Sequence, residues 1–146
     1  MMLELISAAI GTVAFALLFG VPRDYYLHCG AIGAAGWLMY RLMLAIHTGT
    51  TLAVFLATVV IVLLSRFTAV KRKCPSTIFL ITGIFPLVPG ADFYWAAYYL
   101  VTNQIPDFQT SGMGALKIMI AIVLGIIFVF EIPHRFFKIN RKKESA

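Results

Sequence analysis

One segment constrains this chain more than any other: Thr77-Ile-Phe-Leu-Ile-Thr-Gly-Ile-Phe-Pro-Leu-Val-Pro-Gly-Ala-Asp-Phe-Tyr-Trp95. It is apolar and long enough to cross a bilayer, yet Pro86, Pro89 and Gly90 interrupt it midway. Proline has no N–H to donate and its ring clashes with the preceding turn, so no regular helix runs through both prolines. In lipid a broken helix survives only where protein or a watery cavity covers the freed backbone groups. A break at mid-depth is also a recurrent way to build a transport site. The segment therefore predicts two half-helices and a covered, polar backbone between them.

The rest of the chain supports a membrane setting. Of the 146 residues only 12% are charged, against roughly 25% in soluble domains, and the mean hydropathy is +0.92. The sequence predicts an all-α integral membrane protein, one transmembrane domain over residues 1–146. Five apolar spans are expected, near 3–21, 26–46, 49–67, 76–101 and 114–132, the fourth broken at Pro86 to Gly90. A span needs about 20 apolar residues. The second is the least regular, containing His28 and Arg41; the alternative is four spans with 26–46 re-entrant. No cleavable leader is expected, because the first run lacks a positive n-region and is too long for an h-region.

The formal charge of +6 does not read as nucleic-acid binding, because the basic residues sit at the ends of apolar runs. Arg23, Arg66, Lys71, Arg72, Lys73 and the tail residues Arg135, Lys138, Arg141, Lys142 and Lys143 fall on one predicted side. Only Arg41 and Lys117 fall elsewhere. Such a bias sets orientation. It places the N-terminus outside and the basic tail, 134–146, in the cytoplasm of a cell bounded by this inner or plasma membrane.

Several residues are candidates for chemistry, each with a plainer reading beside it. Asp92 follows the break; an ionisable group at membrane depth is a functional hypothesis by default, yet a carboxylate in the first turn of a helix is also simply favoured by the dipole. Tyr94 and Tyr98 share one helix face, as do Trp95 and Tyr99, which suits a pocket wall or an interfacial belt. Arg41 lies about 7–8 Å inside its span at 1.5 Å per residue; it either snorkels or meets a carboxylate substrate. Gly30, Gly33, Ala34 and Gly36 form a small-residue seam that lets helix backbones approach closely, within the chain or against a partner. Glu131 and Arg135 are spaced for an ion pair. Cys29 and Cys74 are expected as free thiols, and His28, His47 and His134 do not cluster. No nucleophile–base pair, metal spacing or phosphate loop is present in the sequence, so neither an enzyme, a metal nor a cofactor is expected.

Three elements together resemble the threonine/serine exporter (ThrE) family, in particular its short stand-alone membrane subunits. They are Phe19-Gly-Val-Pro-Arg23, the glycine-rich stretch His28 to Gly36, and Phe85-Pro-Leu-Val-Pro-Gly90 with Tyr98-Tyr99 downstream. The likeness covers nearly the whole chain in the same order. It implies a subunit of a secondary exporter that works with a larger ThrE-type partner, homo-oligomers being a further possibility. The implied substrate is a small polar metabolite, either a threonine/serine-type amino acid or a dicarboxylate such as succinate. The expected substrate path, read from the residues themselves, runs past Pro86, Pro89, Gly90, Asp92, Tyr94, Tyr98 and Arg41. Asp92 stands where the family pattern has a small residue, so no role for it follows from the resemblance. A membrane scaffold or a small pore former without its own substrate path is the contrasting reading.

Overall fold

The computed structural model describes residues 2–132. The basic tail and Arg135 lie outside the described residues, and so does the spacing-based pair of Glu131 with Arg135. Every regular element among the described residues is helical: α1 (Met2–Leu18), α2 (Tyr26–Ala45), α3 (Thr50–Arg72), α4 (Thr77–Ile84), α5 (Gly90–Val101) and α6 (Ile105–Phe130). Two single 3₁₀ turns, Arg23–Tyr25 and Phe85–Leu87, join α1 to α2 and follow α4. The interrupted segment therefore forms two half-helices, and α4 with its 3₁₀ turn meets α5 at an angle of 57°.

Helices α3 and α6 are each long and apolar enough to cross a membrane, and the bent α4–α5 pair makes a third candidate. The expected count of five does not follow from helix length, because α1 is apolar but only 17 residues long. The expected second span, 26–46, is a single helix over Tyr26–Ala45, 20 residues and about 30 Å at 1.5 Å per residue. The fifth expected span starts earlier than Gly114: Pro106 is accommodated in the first turn of α6, and the polar stretch Asp107 to Ser111 is already helical. The first span stops at Leu18 rather than Val21, because Gly20 turns left-handed (φ 68°) and the Val21 N–H bonds back to the Ala16 carbonyl. That six-to-one bond is the usual way a glycine closes a helix. His47, Lys73 and Asn103 repeat the closure without glycine, at φ of 58°, 56° and 62°. In each case the next N–H returns five residues, to Met43, Ala69 and Tyr99.

Helix α2 lies between α1 and α3 and touches α4; α3 lies between α2 and α6; α5 packs along α6. Small residues set these distances. A methyl at Gly33 would stand 2.8 Å from Thr12 Cβ, and one at Gly125 would stand 3.1 Å from the Phe55 carbonyl oxygen. Association in lipid depends on such close packing, since no hydrophobic force separates helix from solvent there. The buried hydroxyls of Thr12, Thr58 and Thr82 donate to carbonyls of their own helices, at 2.7, 2.8 and 3.0 Å, so they remain satisfied in an apolar core. Ile32, Val54, Ile61, Val62, Phe79, Leu87, Ile122 and Val129 fill the centre.

Charged contacts fix the ends of the bundle. At one end Arg66 on α3, 4% exposed, donates to the Val129 and Ile132 carbonyls and lies over the Phe130 ring. The carbonyls at the end of α6 have no partner within the helix, and the guanidinium supplies one. Arg72 meets His28 Nε2 at 3.0 Å at the same end. At the opposite end Arg41 Nε lies 3.0 Å from Glu4 Oε2; the N–H is not aligned on that oxygen, so the contact is an ion pair rather than a hydrogen bond.

Candidate functional site

The break is built from local rules. Pro86 enters the 3₁₀ turn, where its missing N–H costs nothing, and Val88 closes that turn on the Phe85 carbonyl at 3.1 Å. Val88 is extended and Pro89 sits at φ −77°, ψ 61°. The Gly90 N–H then bonds the Val88 carbonyl at 2.8 Å. These dihedrals and this two-residue return are an inverse γ-turn. Gly90 interrupts the apolar run in the sequence but lends this turn no conformational freedom: it has no positive φ, and a methyl there would meet nothing within 4 Å. Two prolines and one extended valine are sufficient.

A cavity of about 300 Å³ opens at this break. Residues Pro86 to Asp92 form one wall; Trp37 and Tyr40 of α2, Val54 of α3 and Ile118 of α6 form the others. The volume is at the low end for small-molecule pockets. Three helices thus cover the interrupted backbone, as lipid demands.

Asp92 is half-buried and lines the cavity. The N-cap residue of α5 is Pro89, which has no side-chain acceptor, and Asp92 stands in the first turn behind it. Its Oδ2 lies 4.0 Å from the place a methyl on Gly114 would take, which brings it against a bare patch of α6. Among the residues lining the cavity Asp92 alone is charged. Between the Gly90 N–H, used by the γ-turn, and the Phe93 N–H, used by the Pro89 carbonyl, stand the amides of Ala91 and Asp92. These are open donors of a helix start.

The other sequence candidates fall elsewhere. Tyr94 and Tyr98 are 65% and 46% exposed and meet Trp95 and Tyr99 edge-on on the outer side of α5, away from the cavity. Arg41 follows Tyr40 but is engaged by Glu4 and does not line the cavity. Gly30 and Gly33 face Val13 and Thr12 of α1, and Gly36 faces Ile61 of α3, with Ala34 half-buried between them. The seam is therefore occupied within the chain.

Trp37 and Tyr40 were not foreseen. Their ring centroids lie 5.3 Å apart, and the indole Nε1 is enclosed without a hydrogen-bond partner. An aromatic pair at i,i+3, one residue after the glycine seam, is the available signal for them.

The family described as Threonine/Serine exporter, ThrE, matches residues 4–132. An uncharacterized protein of Haemophilus influenzae is 31% identical over 136 residues, covering 89% of this chain and 45% of that protein. The chain thus spans about half the length of this relative. No solved structure matches.

Proposed function

Since the chain belongs to the threonine/serine exporter (ThrE) family, whose members are transporters and not enzymes, we propose that it exports a small amino acid through the cavity at the α4–α5 break. The observation that carries this reading is the pairing of one carboxylate with open amides in that cavity. An amino acid is a zwitterion. Asp92 is placed to accept from its ammonium group, and the helix-start amides of Ala91 and Asp92 to donate to its carboxylate. Trp37 and Tyr40 supply aromatic faces that favour a cation. A dicarboxylate such as succinate would bring like charge to Asp92 without a cation in the wall to offset it.

The chain acts with a larger membrane partner on this reading, which the greater length of the Haemophilus relative supports. It crosses the membrane five times, with the N-terminus outside and the C-terminus cytoplasmic. Charge asymmetry supports that orientation. The contacts of Arg66 and Arg72 gather Arg23, Arg66, Lys71, Arg72 and Lys73 at one end of the bundle, with Asp24 and Glu131 the acids there. The opposite end holds Arg41, Glu4 and Asp107. Basic residues favour the cytoplasmic side.

The test is ligand binding by the purified chain, followed through tryptophan fluorescence, since Trp37 lines the cavity. Threonine or serine should quench or shift the signal, and Asp92→Asn should weaken that response at least about tenfold, as for a lost charge-assisted contact of ~1.5–3 kcal/mol. Succinate binding in place of the amino acids would overturn the assignment. Transport by this chain alone in liposomes would overturn the need for a partner.

A further inference from the structure

At the basic end of the bundle one cation is held by a contact that leaves its charge uncompensated. Arg72 Nη2 lies 3.0 Å from His28 Nε2. A guanidinium has only donors, so His28 must accept through Nε2 and is neutral in this contact. The imidazole thus orients Arg72 without neutralising it. His28 is itself steadied by Phe79, which is fully buried, at 6.4 Å between ring centroids. Tyr25 meets the same Phe79 edge-on at 5.6 Å. Phe79 therefore places a tyrosine, a histidine and, through the histidine, an arginine in one fixed group.

Three further cations, Arg23, Lys71 and Lys73, are exposed at this end, and no ion pair involves any of them among the described residues. The depth is set by apolar neighbours. Phe67 and Val70, 63% and 54% exposed, precede the cations on α3, and Leu27, 81% exposed, stands in the first turn of α2. In a membrane protein such side chains face acyl chains, so the cations just beyond them lie at headgroup level, where tyrosine is also enriched. Clusters of this kind at the end of a membrane helix attract anionic lipids.

We infer that Arg72, oriented by His28 and flanked by Arg23, Lys71 and Lys73, seats the headgroup phosphate of an anionic phospholipid at the basic end of the bundle. The inference goes beyond the transport reading and stands whether or not the cavity carries substrate. An arginine fork suits a phosphate, and the apolar residues beneath it suit the attached chains; a free anion would use only the first.

The full chain in nanodiscs of equal phosphatidylcholine and phosphatidylglycerol provides the test, with retained lipids counted by native mass spectrometry. The parent should retain phosphatidylglycerol preferentially. Arg72→Gln should cut that preference about fivefold, the worth of one basic residue at a charged membrane surface. His28→Ala should cut it similarly, and the double variant should lose no more than either alone. Arg72→Lys keeps the charge but not the fork, and should recover less than half of the preference. Folding of each variant is checked by its melting temperature in phosphatidylcholine alone. If His28→Ala leaves the preference intact while every basic residue contributes equally, the rim is a diffuse charge and the seat is wrong. Displacement of the lipid by excess inorganic phosphate would equally overturn it in favour of a free-anion site. Should the variants not fold, salt decides on the parent: retention unchanged from about 0.05 to about 0.5 M, over which screening tightens, overturns the proposal.

Discussion

Replacing Gly33 by alanine is a stringent test of the α1–α2 contact. The added methyl would stand 2.8 Å from Thr12 Cβ and 3.0 Å from Thr12 Cγ2, with Oγ1 nearer still. Optimal carbon separations are about 3.5–4.0 Å, so α1 must retreat by roughly 1 Å, because rotating Thr12 would move Oγ1 and Cγ2 but not Cβ. That rotation is itself restricted: the hydroxyl is bound to the Ala8 carbonyl at 2.7 Å, and the side chain is fully buried. Overpacking of this kind costs about 1–3 kcal/mol, and ~2 kcal/mol is a factor of about 30 in the folded ratio. Thr12→Ala removes Oγ1 and Cγ2 but leaves Cβ, so Gly33→Ala should cost about half as much in that background. Thr12→Gly removes the three nearest atoms, and there Gly33→Ala should cost nothing or stabilise, since alanine is the better helix former by about 1 kcal/mol. Thr12→Gly alone costs only about 0.3–0.5 kcal/mol in helix propensity, besides its lost packing, and the double-mutant cycle subtracts both. Unfolding in mixed detergent micelles, read by Trp37 fluorescence, measures each step. An undiminished penalty in the Thr12→Gly background would refute the packing. If Gly33→Leu instead kept the chain stable and abolished co-purification with a larger subunit, the seam would belong to a partner.

Three further outcomes follow from the geometry. Pro86→Ala with Pro89→Ala should straighten the 57° bend, keep membrane abundance at or above the parent because each restored amide rejoins the helical ladder, and abolish export; Gly90→Ala, with open space around it, should change neither in the same export and immunoblot assays. Arg66→Met should destabilise the chain by about 1–3 kcal/mol in micelle unfolding, since it removes the charged donor shared by the Val129 and Ile132 carbonyls. Asn103→Gly and His47→Gly should each raise the melting temperature, because a left-handed non-glycine residue costs up to about 1–2 kcal/mol.

The break was legible because proline acts locally: its two defects apply wherever the chain goes. The apolar runs were legible for the same reason. The far wall of the cavity was not. Trp37, Tyr40, Val54 and Ile118 come from three helices, and periodicity gives the faces of a helix without naming their neighbours. Tyr94 shows what helix geometry alone contained. At about 100° per residue it lies some 200° round the axis from Asp92, so one wall could not hold both. Arg41 and Glu4 are remote in sequence, and only the α1–α2 packing joins them. The third span was expected to end at 67, yet α3 runs on through Lys71 and Arg72 to the left-handed Lys73, because basic residues read as flanking sequence can still be helical; the ends expected at 46 and 101 agree with α2 and α5 to within one residue. The basic-residue pattern, by contrast, pointed to one end, and the Arg66 and Arg72 contacts gather its described members there.

The dependence of α5 on α6 has a bearing on biosynthesis. Helix α5 packs along α6, and the interrupted backbone before it needs the covering that Ile118 of α6 helps to provide. A ribosome delivers α5 before α6 exists. Until the last helix leaves the insertion machinery, the segment from Pro86 to Val101 has incomplete shelter from lipid, where unsatisfied backbone cannot rest. A chain arrested at Val101 would lack the Ile118 wall over the Pro86 to Gly90 backbone and should be less stable in the membrane than one that includes α6.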